Sequence, residues 1–168
     1  IEDLAIYRTL PNVIVLHPSD DVSTRVLTKQ LAATKSPSYT RTARNKTPVL
    51  YDDVDPDAIQ IGKGIELCKG NDVAIVACGV LVSESLEAAK LLMEQGIHAT
   101  VIDMHTIKPL DIDLIDEVAS RCGAIVTAED HSVIGGLGGA VAEHLSSTSC
   151  TPLERVGVLD RFGESGQA

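Results

Sequence analysis

The feature that most constrains the fold is a regular alternation of apolar strands and amphipathic helices after residue 60. The run DVAIVAC (72–78) is continuous, apolar and rich in β-branched residues, which is typical of a strand covered on both faces. Further strands are predicted at HATVIDM (98–104), AIVTAE (124–129) and LERVGVL (153–159). Strands about 25 residues apart with helices between them form βαβ units. We therefore predict a three-layer α/β domain with a mostly parallel sheet.

Helices are predicted in the intervals between these strands. One extends over about 83–95 and stops at Gly96, and a second begins near Asp111 and ends at Gly123. A third follows a glycine-rich loop near residue 137. Their apolar residues recur with the period of a helix, so each helix has one face to bury against the sheet.

A smaller β–α–β unit is predicted in residues 1–50. Its strands are VIVLH (13–17) and PSYTRT (37–42), and its helix starts near Asp20, while a short helix precedes them in the first twelve residues. Two strands cannot cover both faces of a sheet, and pieces of this size rarely fold alone. Because the sequence also opens within an element, we expect the N-terminal part of a larger domain to be missing.

The acidic, proline-containing stretch YDDVDPDAIQ (51–60) is predicted to be a linker with solvated acids, since nothing in it is periodic. The expected organisation is therefore a remnant of one α/β domain at 1–50, the linker at 51–60 and a whole domain at 61–168.

Charge and composition exclude several classes of protein. The formal net charge is −10, although residues 1–50 carry seven Lys/Arg and four Asp/Glu. An acidic body argues against nucleic acid as a partner, because phosphate backbones are bound through cations. The longest apolar stretch (73–82) is shorter than the roughly 20 residues that cross a bilayer. With no secretion signal and no C-x-x-C pair, a cytoplasmic protein with reduced thiols is predicted.

The glycine-rich stretch AEDHSVIGGLGGAVAEHL (128–145) resembles a phosphate cradle at the start of a helix. A dinucleotide fingerprint, however, needs G-x-G-x-x-G directly after a strand, and Val141 stands at the third glycine position. The pattern therefore favours a structural role, in which glycines permit a turn with positive φ and close packing at a domain or subunit contact.

Two further candidate sites are weak. Glu129, Asp130 and His131 are consecutive, so their side chains point in different directions, and strand-end hydrogen bonding is favoured over metal binding. GESG at 163–166 resembles a nucleophile elbow, but no histidine follows Ser165. We predict no catalytic, cofactor-binding or metal-binding residue in this chain.

The stretch YTRTARNK (39–46) carries the best candidate binding residues. Arg41 and Arg44 follow the carboxyl end of a predicted strand, where α/β sheets gather their ligands, and guanidinium forks suit phosphate oxygens. A surface or interface ion pair is an equal alternative on the residues alone.

The chain resembles the C-terminal part of a transketolase. The motifs that carry the resemblance occur in the family's order: IEDLAIYRTLPN, LHPSD, RTAR, GVLVSESLEAAKLL, TIKPLD, TAEDHSVIGGLGGAVAEHL and DRFGESG. TIKPLD and the glycine stretch mark a wider group of thiamine-diphosphate enzymes. That group includes 1-deoxy-D-xylulose-5-phosphate synthase and the β subunit of 2-oxoacid dehydrogenases, whereas DRFGESG favours transketolase.

The resemblance implies a large homodimer with thiamine diphosphate and Mg²⁺ between subunits, moving a ketol unit from a ketose phosphate to an aldose phosphate. In that family an N-terminal domain holds the diphosphate and metal, and the middle domain holds the pyrimidine. This chain resembles the tail of the middle domain (1–50) and the C-terminal domain, so we expect it to bind neither cofactor alone. Arg44 matches the arginine that grips the sugar phosphate, and Arg41 lies beside it without so clear a role.

Three interpretations stay open at this point. The chain is an incomplete or split transketolase that needs its N-terminal half and is inactive alone. The runner-up among enzymes is a fragment of one of the two related thiamine-diphosphate enzymes. A non-catalytic module that regulates or docks onto a partner is the interpretation from a different class.

Overall fold

The computed structural model describes residues 2–52 and 54–163. Ile1, most of the GESG motif and its Ser165 lie outside these residues. The strands in chain order are β1 Ile14–Leu16, β2 Ser38–Thr40, β3 Ile65–Cys68, β4 Val73–Ala77, β5 Ala99–Asp103, β6 Thr106–Lys108, β7 Ile125–Ser132 and β8 Leu153–Val158. The α-helices are α1 Asp3–Arg8, α2 Asp21–Ala33, α3 Leu81–Met93, α4 Ile112–Cys122 and α5 Leu137–Thr148, and a short 3₁₀ helix covers Pro56–Ala58.

Five strands form the large sheet, in the order β3-β5-β4-β7-β8. The last four of these are mutually parallel, and β3 pairs with β5 in the antiparallel direction. Helix α3 packs on one face of the sheet, while α4 and α5 cover the other, which confirms the predicted three-layer α/β domain.

The ends and faces of α4 show why these residues form this helix. Asp111 caps its first turn by accepting a hydrogen bond from the Leu114 amide, and Gly123 ends it with φ +71°. Ile115, Val118 and Cys122 recur at helical spacing and are buried against the large sheet. The predicted start and stop of this helix are therefore confirmed.

The small sheet has the order β2-β1-β6. β1 and β2 are parallel and joined through α2, as the predicted β–α–β unit requires. The third strand, β6, is part of the TIKPLD motif and pairs with β1 in the antiparallel direction. Backbone hydrogen bonds thus connect the first fifty residues directly to the later part of the chain.

The predicted linker is attached to the core at both ends. Tyr51 and Ile59 are buried with Leu16 of β1 and Leu27 of α2. Its acids at 52, 55 and 57 are exposed, as predicted, whereas residue 53 lies outside the described part. The segment therefore packs against β1 and α2 of the small sheet. The division into domains at 50 and 60 stays a prediction.

No helix among the described residues is long and apolar enough to cross a membrane. Cys78 and Cys122 are free thiols buried in the core.

Candidate functional site

Charged and polar residues that follow several strands meet between the two sheets. We call this cluster the seam; its members are His17, Arg41, Asp103, His105 and Asp130. A backbone hydrogen bond connects two of them, since the His17 amide donates to the His105 carbonyl over 2.8 Å. The seam lies where parallel strands end, which is the edge at which α/β sheets bind ligands.

Arg41 is engaged within the seam. Its Nη2 donates to the Asp130 carbonyl oxygen over 3.0 Å and to Asp130 Oδ2 over 3.1 Å. Its Nη1 lies 3.8 Å from Asp3 Oδ1, and 19% of the side chain is exposed. The geometry matches the ion-pair alternative, and a direct role of Arg41 in phosphate binding stays a prediction.

Arg44 lies in a different environment, three residues further along. It belongs to an exposed stretch at 42–49, which we call the Arg44 loop. Within the described part of the chain, no hydrogen bond engages the Arg44 guanidinium. The loop and α2 border a groove of about 760 Å³, which is lined by three cations and also by Asp20 and Asp21, while Arg44 lies outside its lining. Arg44 is therefore available to an external anion.

The glycine-rich loop does not hold an open phosphate cradle. Glu129, in the second half of β7, accepts hydrogen bonds from the amides of Leu137 and Gly138, each over 2.8 Å. These amides begin α5, so the carboxylate sits where a bound phosphate would. A Cβ on Gly136 would lie only 1.9 Å from Glu129 Oε2. The predicted structural role of these glycines is confirmed.

Gly135 shows the second part of that role. Its φ is +78°, and a Cβ there would lie 2.8 Å from the Cβ of Ala5. Helix α1 thus packs directly on the glycine loop, and Arg8 donates to the Gly135 carbonyl over 2.7 Å. The loop is a contact between α1 and α5.

The acidic and histidine residues at 129–131 form hydrogen bonds rather than a metal site. The His131 ring is buried, with Nδ1 2.7 Å from the Ser132 carbonyl oxygen and Nε2 accepting from the Ala5 amide. Among the described residues, no group of three His, Cys, Asp or Glu side chains is arranged to hold a metal ion. The predicted hydrogen bonding is confirmed, but these residues lie within β7, which extends to Ser132, and not beyond the end of the strand.

The two histidines of the seam, His17 and His105, are buried. Burial lowers the pKa of both His17 and His105 to about 4, so they are neutral near pH 7. The His17 ring lies against Gly79 at the end of β4, where a Cβ would come within 2.2 Å of the ring. With 1% of its surface exposed, His17 fills space rather than meeting a substrate.

A buried carboxyl at the end of β5 was not singled out by sequence reasoning. Asp103 Oδ2 accepts hydrogen bonds from Ser19 Oγ over 2.5 Å and from the Tyr51 hydroxyl over 2.7 Å. Burial raises the pKa of Asp103 to about 7. One aspartate after a strand has no spacing signal, because its partners lie 84 and 52 residues away.

Comparison with known proteins decides the family. Residues 62–168 match the family model for the transketolase C-terminal domain. The chain belongs to the transketolase family. The resemblance seen in the sequence motifs is therefore confirmed.

Relatives of this transketolase-family chain extend the match across its whole length. A protein described as a transketolase C-terminal section, from Methanocaldococcus jannaschii, is 42% identical over 99% of this chain and 52% of its own length. A 1-deoxy-D-xylulose-5-phosphate synthase from Geobacter sulfurreducens is 39% identical over 98% of this chain but 26% of its own length. The chain thus spans about half the length of the transketolase section it matches.

A solved structure supports the same assignment. The β chain of a split-gene transketolase, described as an inactive β4 tetramer, superposes with a TM-score of 0.92 and 48% identity. The match covers 98% of this chain and 54% of the solved one. The mixed α/β architecture is therefore that of transketolases.

Transketolases generally use thiamine diphosphate, and the described residues do not fit that group. Its diphosphate is bound through a divalent metal ion, and among the described residues no group of three His, Cys, Asp or Glu side chains is arranged to hold one. Glu129 already occupies the amides at the glycine-rich start of α5. That the chain binds no cofactor by itself stays a prediction.

Proposed function

We propose that this chain forms the C-terminal part of a thiamine-diphosphate-dependent transketolase. The complete enzyme moves a two-carbon ketol unit from a ketose phosphate to an aldose phosphate, and the chain alone is inactive. The observation that carries the proposal is Arg44, an exposed guanidinium without a hydrogen-bonded partner in the described structure, beyond the carboxyl end of β2.

The chain's own contribution is to bind the substrate phosphate. A guanidinium presents a planar fork of N–H donors that matches phosphate oxygens, and such charge-assisted hydrogen bonds are stronger than neutral ones. The phosphate of a sugar lies away from its reacting carbons, so Arg44 would hold and orient the substrate and take no part in the bond changes.

The proposed partners follow from the family and the charge. An N-terminal subunit supplies the thiamine diphosphate and Mg²⁺ sites, and the complete enzyme is a homodimer of such assemblies acting in the cytoplasm on sugar phosphates. The description of the solved relative as an inactive tetramer supports a C-terminal chain that self-associates and has no activity alone. The net charge of −10 argues against a nucleic-acid partner.

Mixing this chain with a separately expressed N-terminal subunit tests the proposal. Ketol transfer should appear only in the mixture, whereas a regulatory or docking module would restore none.

Calorimetric titration of the isolated chain with thiamine diphosphate and Mg²⁺ should give no stoichiometric micromolar signal. A panel of ketose phosphate and 2-oxoacid donors separates transketolase from the synthase, the runner-up function that the synthase relative favours.

Replacing Arg44 with alanine in the active mixture should lower kcat/KM for phosphorylated sugars by about 10- to 100-fold. This factor corresponds to one lost charge-assisted hydrogen bond of about 1.5 to 3 kcal/mol. The loss should fall mostly on KM, because binding far from the reacting carbons is the same in the ground and transition states. Steady-state kinetics with phosphorylated and unphosphorylated acceptors measures it.

A matched control is Lys35→Ala, which removes an exposed cation before β2 instead of after it. This variant should leave both kinds of substrate unaffected. An equal loss on both kinds of substrate for Arg44→Ala would show that Arg44 supports the fold or the assembly instead.

A further inference from the structure

The Arg44 loop is held at its two ends and not along its length. Among the described residues, no hydrogen bond joins the backbone of 42–49 to another residue. Immediately before the loop, Arg41 is bonded to Asp130. Immediately after it, the amides of Leu50 and Tyr51 donate to Asp20 Oδ2 over 2.9 and 3.2 Å. The Arg41 amide also donates to the Leu16 carbonyl over 2.9 Å, so β1 holds the backbone at the start of the loop. The two aspartates hold the Arg41 side chain before the loop and the amides after it.

The two attachments have different origins. Asp20 caps α2, the helix that precedes the loop, and so belongs to the same part of the chain. Asp130 comes from β7 of the large sheet, 89 residues from Arg41. Nη2 of Arg41 donates to both the carbonyl oxygen and the carboxylate of Asp130. Two acceptors therefore fix both the distance and the direction of the guanidinium relative to Asp130.

The surroundings of Asp130 direct its charge to Arg41. Its other oxygen, Oδ1, lies 3.6 Å from Nδ1 of His17. Burial keeps that histidine neutral near pH 7, so it does not compete as a cation. The exposed fractions of the Arg41 and Asp130 side chains are 19% and 32%, so water screens the pair only in part.

We propose that Asp130 is a positioning residue for substrate: by fixing Arg41, it orients the Arg44 loop so that Arg44 meets the sugar phosphate. The inference rests on the proposed function and deepens it. It gives the C-terminal domain a role in substrate binding, although Asp130 itself bonds to Arg41 and would not contact the substrate. A loop fixed before binding loses less conformational freedom when the phosphate arrives, and affinity rises accordingly.

The test uses the active mixture, with one unphosphorylated ketose as donor and either ribose 5-phosphate or ribose as acceptor. Asp130→Ala and Asp130→Asn should raise KM for ribose 5-phosphate by about 3- to 10-fold, with kcat and the ribose reaction unchanged. In the Asp130→Ala/Arg44→Ala double variant, the loss should equal that of Arg44→Ala alone, because Asp130 acts through Arg44. Asp116→Asn, which removes the carboxylate charge beside His144 of α5, is the matched control and should change nothing.

The outcomes separate this inference from the proposed function. A selective KM effect of Arg44→Ala without one for either Asp130 variant would leave the function standing and overturn the positioning role. Additive losses in the double variant would overturn it too. A mixture with no ketol transfer would overturn the proposed function itself.

Limited trypsin digestion of the chain decides the matter without activity. The loop holds two trypsin sites, at Arg44 and Lys46. Asp130→Ala should speed cleavage at these sites several-fold while cleavage within α3 and α4 stays constant. Unchanged cleavage at the loop, or equal acceleration at all sites, would show that Asp130 does not fix the loop.

Discussion

Replacing Glu129 with alanine is expected to lower the free energy of unfolding by about 3 to 6 kcal/mol. The carboxylate accepts hydrogen bonds from the Leu137 and Gly138 amides in the interior, and each such bond to a charged group is worth about 1.5 to 3 kcal/mol. Alanine would leave both amides buried without an acceptor at the positive end of α5. Urea unfolding followed by circular dichroism measures the change.

Two controls isolate this effect. Glu129→Gln keeps one acceptor oxygen but places an amide group near the second N–H, so an intermediate loss is expected. Glu143→Ala, on the same helix, removes a carboxylate that pairs with Arg8 and is 67% exposed, so at most about 1 kcal/mol should be lost. If Glu129→Ala lowered the free energy of unfolding no more than Glu143→Ala does, the Glu129 carboxylate would not be stabilising the amides at the start of α5.

The glycine loop shows how one pattern can predict two functions. Glycines before a helix serve a phosphate and an internal carboxylate equally, because both need open amides and close approach. Sequence spacing excluded a nucleotide fingerprint, but it did not indicate that Glu129 occupies the amides. That depends on β7 ending beside α5, which is a tertiary arrangement.

The elements that could be predicted are those whose apolar pattern and end signals agree. Strand β4 is a continuous apolar run, β5 and the first half of β7 are mostly apolar, and helices such as α4 have a capping aspartate and a terminal glycine. β3 and β6 were not predicted: they are as short as β1 and β2, but neither belongs to the β–α–β alternation from which the other strands were predicted. Their conformation is set by pairing with β5 and β1, and such partners have no local signature.

The candidate site was predicted only in part for the same reason. Strand position alone makes both Arg41 and Arg44 candidates for phosphate, and only the family resemblance favours Arg44. The structure separates them, because Arg41 bonds to Asp130 while Arg44 is exposed. A pairing across 89 residues cannot be read from spacing.

The seam explains why the ligand edge of the large sheet holds no open site in the described structure. The His17 ring packs against Gly79, just after β4, and the Arg41 guanidinium is hydrogen-bonded to Asp130 of β7. Residues of the small sheet thus occupy the place that a ligand takes in other α/β folds. The edge serves as an anchor for the segment that carries Arg44.

A second large effect is expected in the pH dependence of stability. The Asp103 carboxyl is fully buried, and its pKa is about 7 in the folded chain against 3.8 for the ordinary side chain. Below pH 3.8 it is protonated in both the folded and unfolded states. Between 3.8 and 7 only the unfolded state ionises, so the free energy of unfolding falls as the pH rises. A pKa difference of one corresponds to about 1.4 kcal/mol, which limits the fall to about 4 kcal/mol.

Asp103→Asn removes this dependence, because an amide does not ionise. The free energy of unfolding of the native chain minus that of the variant should therefore fall by up to about 4 kcal/mol between pH 4 and pH 8. His17 and His105, with pKa values lowered to about 4, oppose the trend by destabilising the fold as the pH falls below about 6.5, but both proteins share them. Denaturant unfolding at a series of pH values measures the difference, and exposed Asp52→Asn should show a constant one. A constant difference for Asp103→Asn as well would mean that Ser19 and Tyr51 hold the carboxyl ionised throughout.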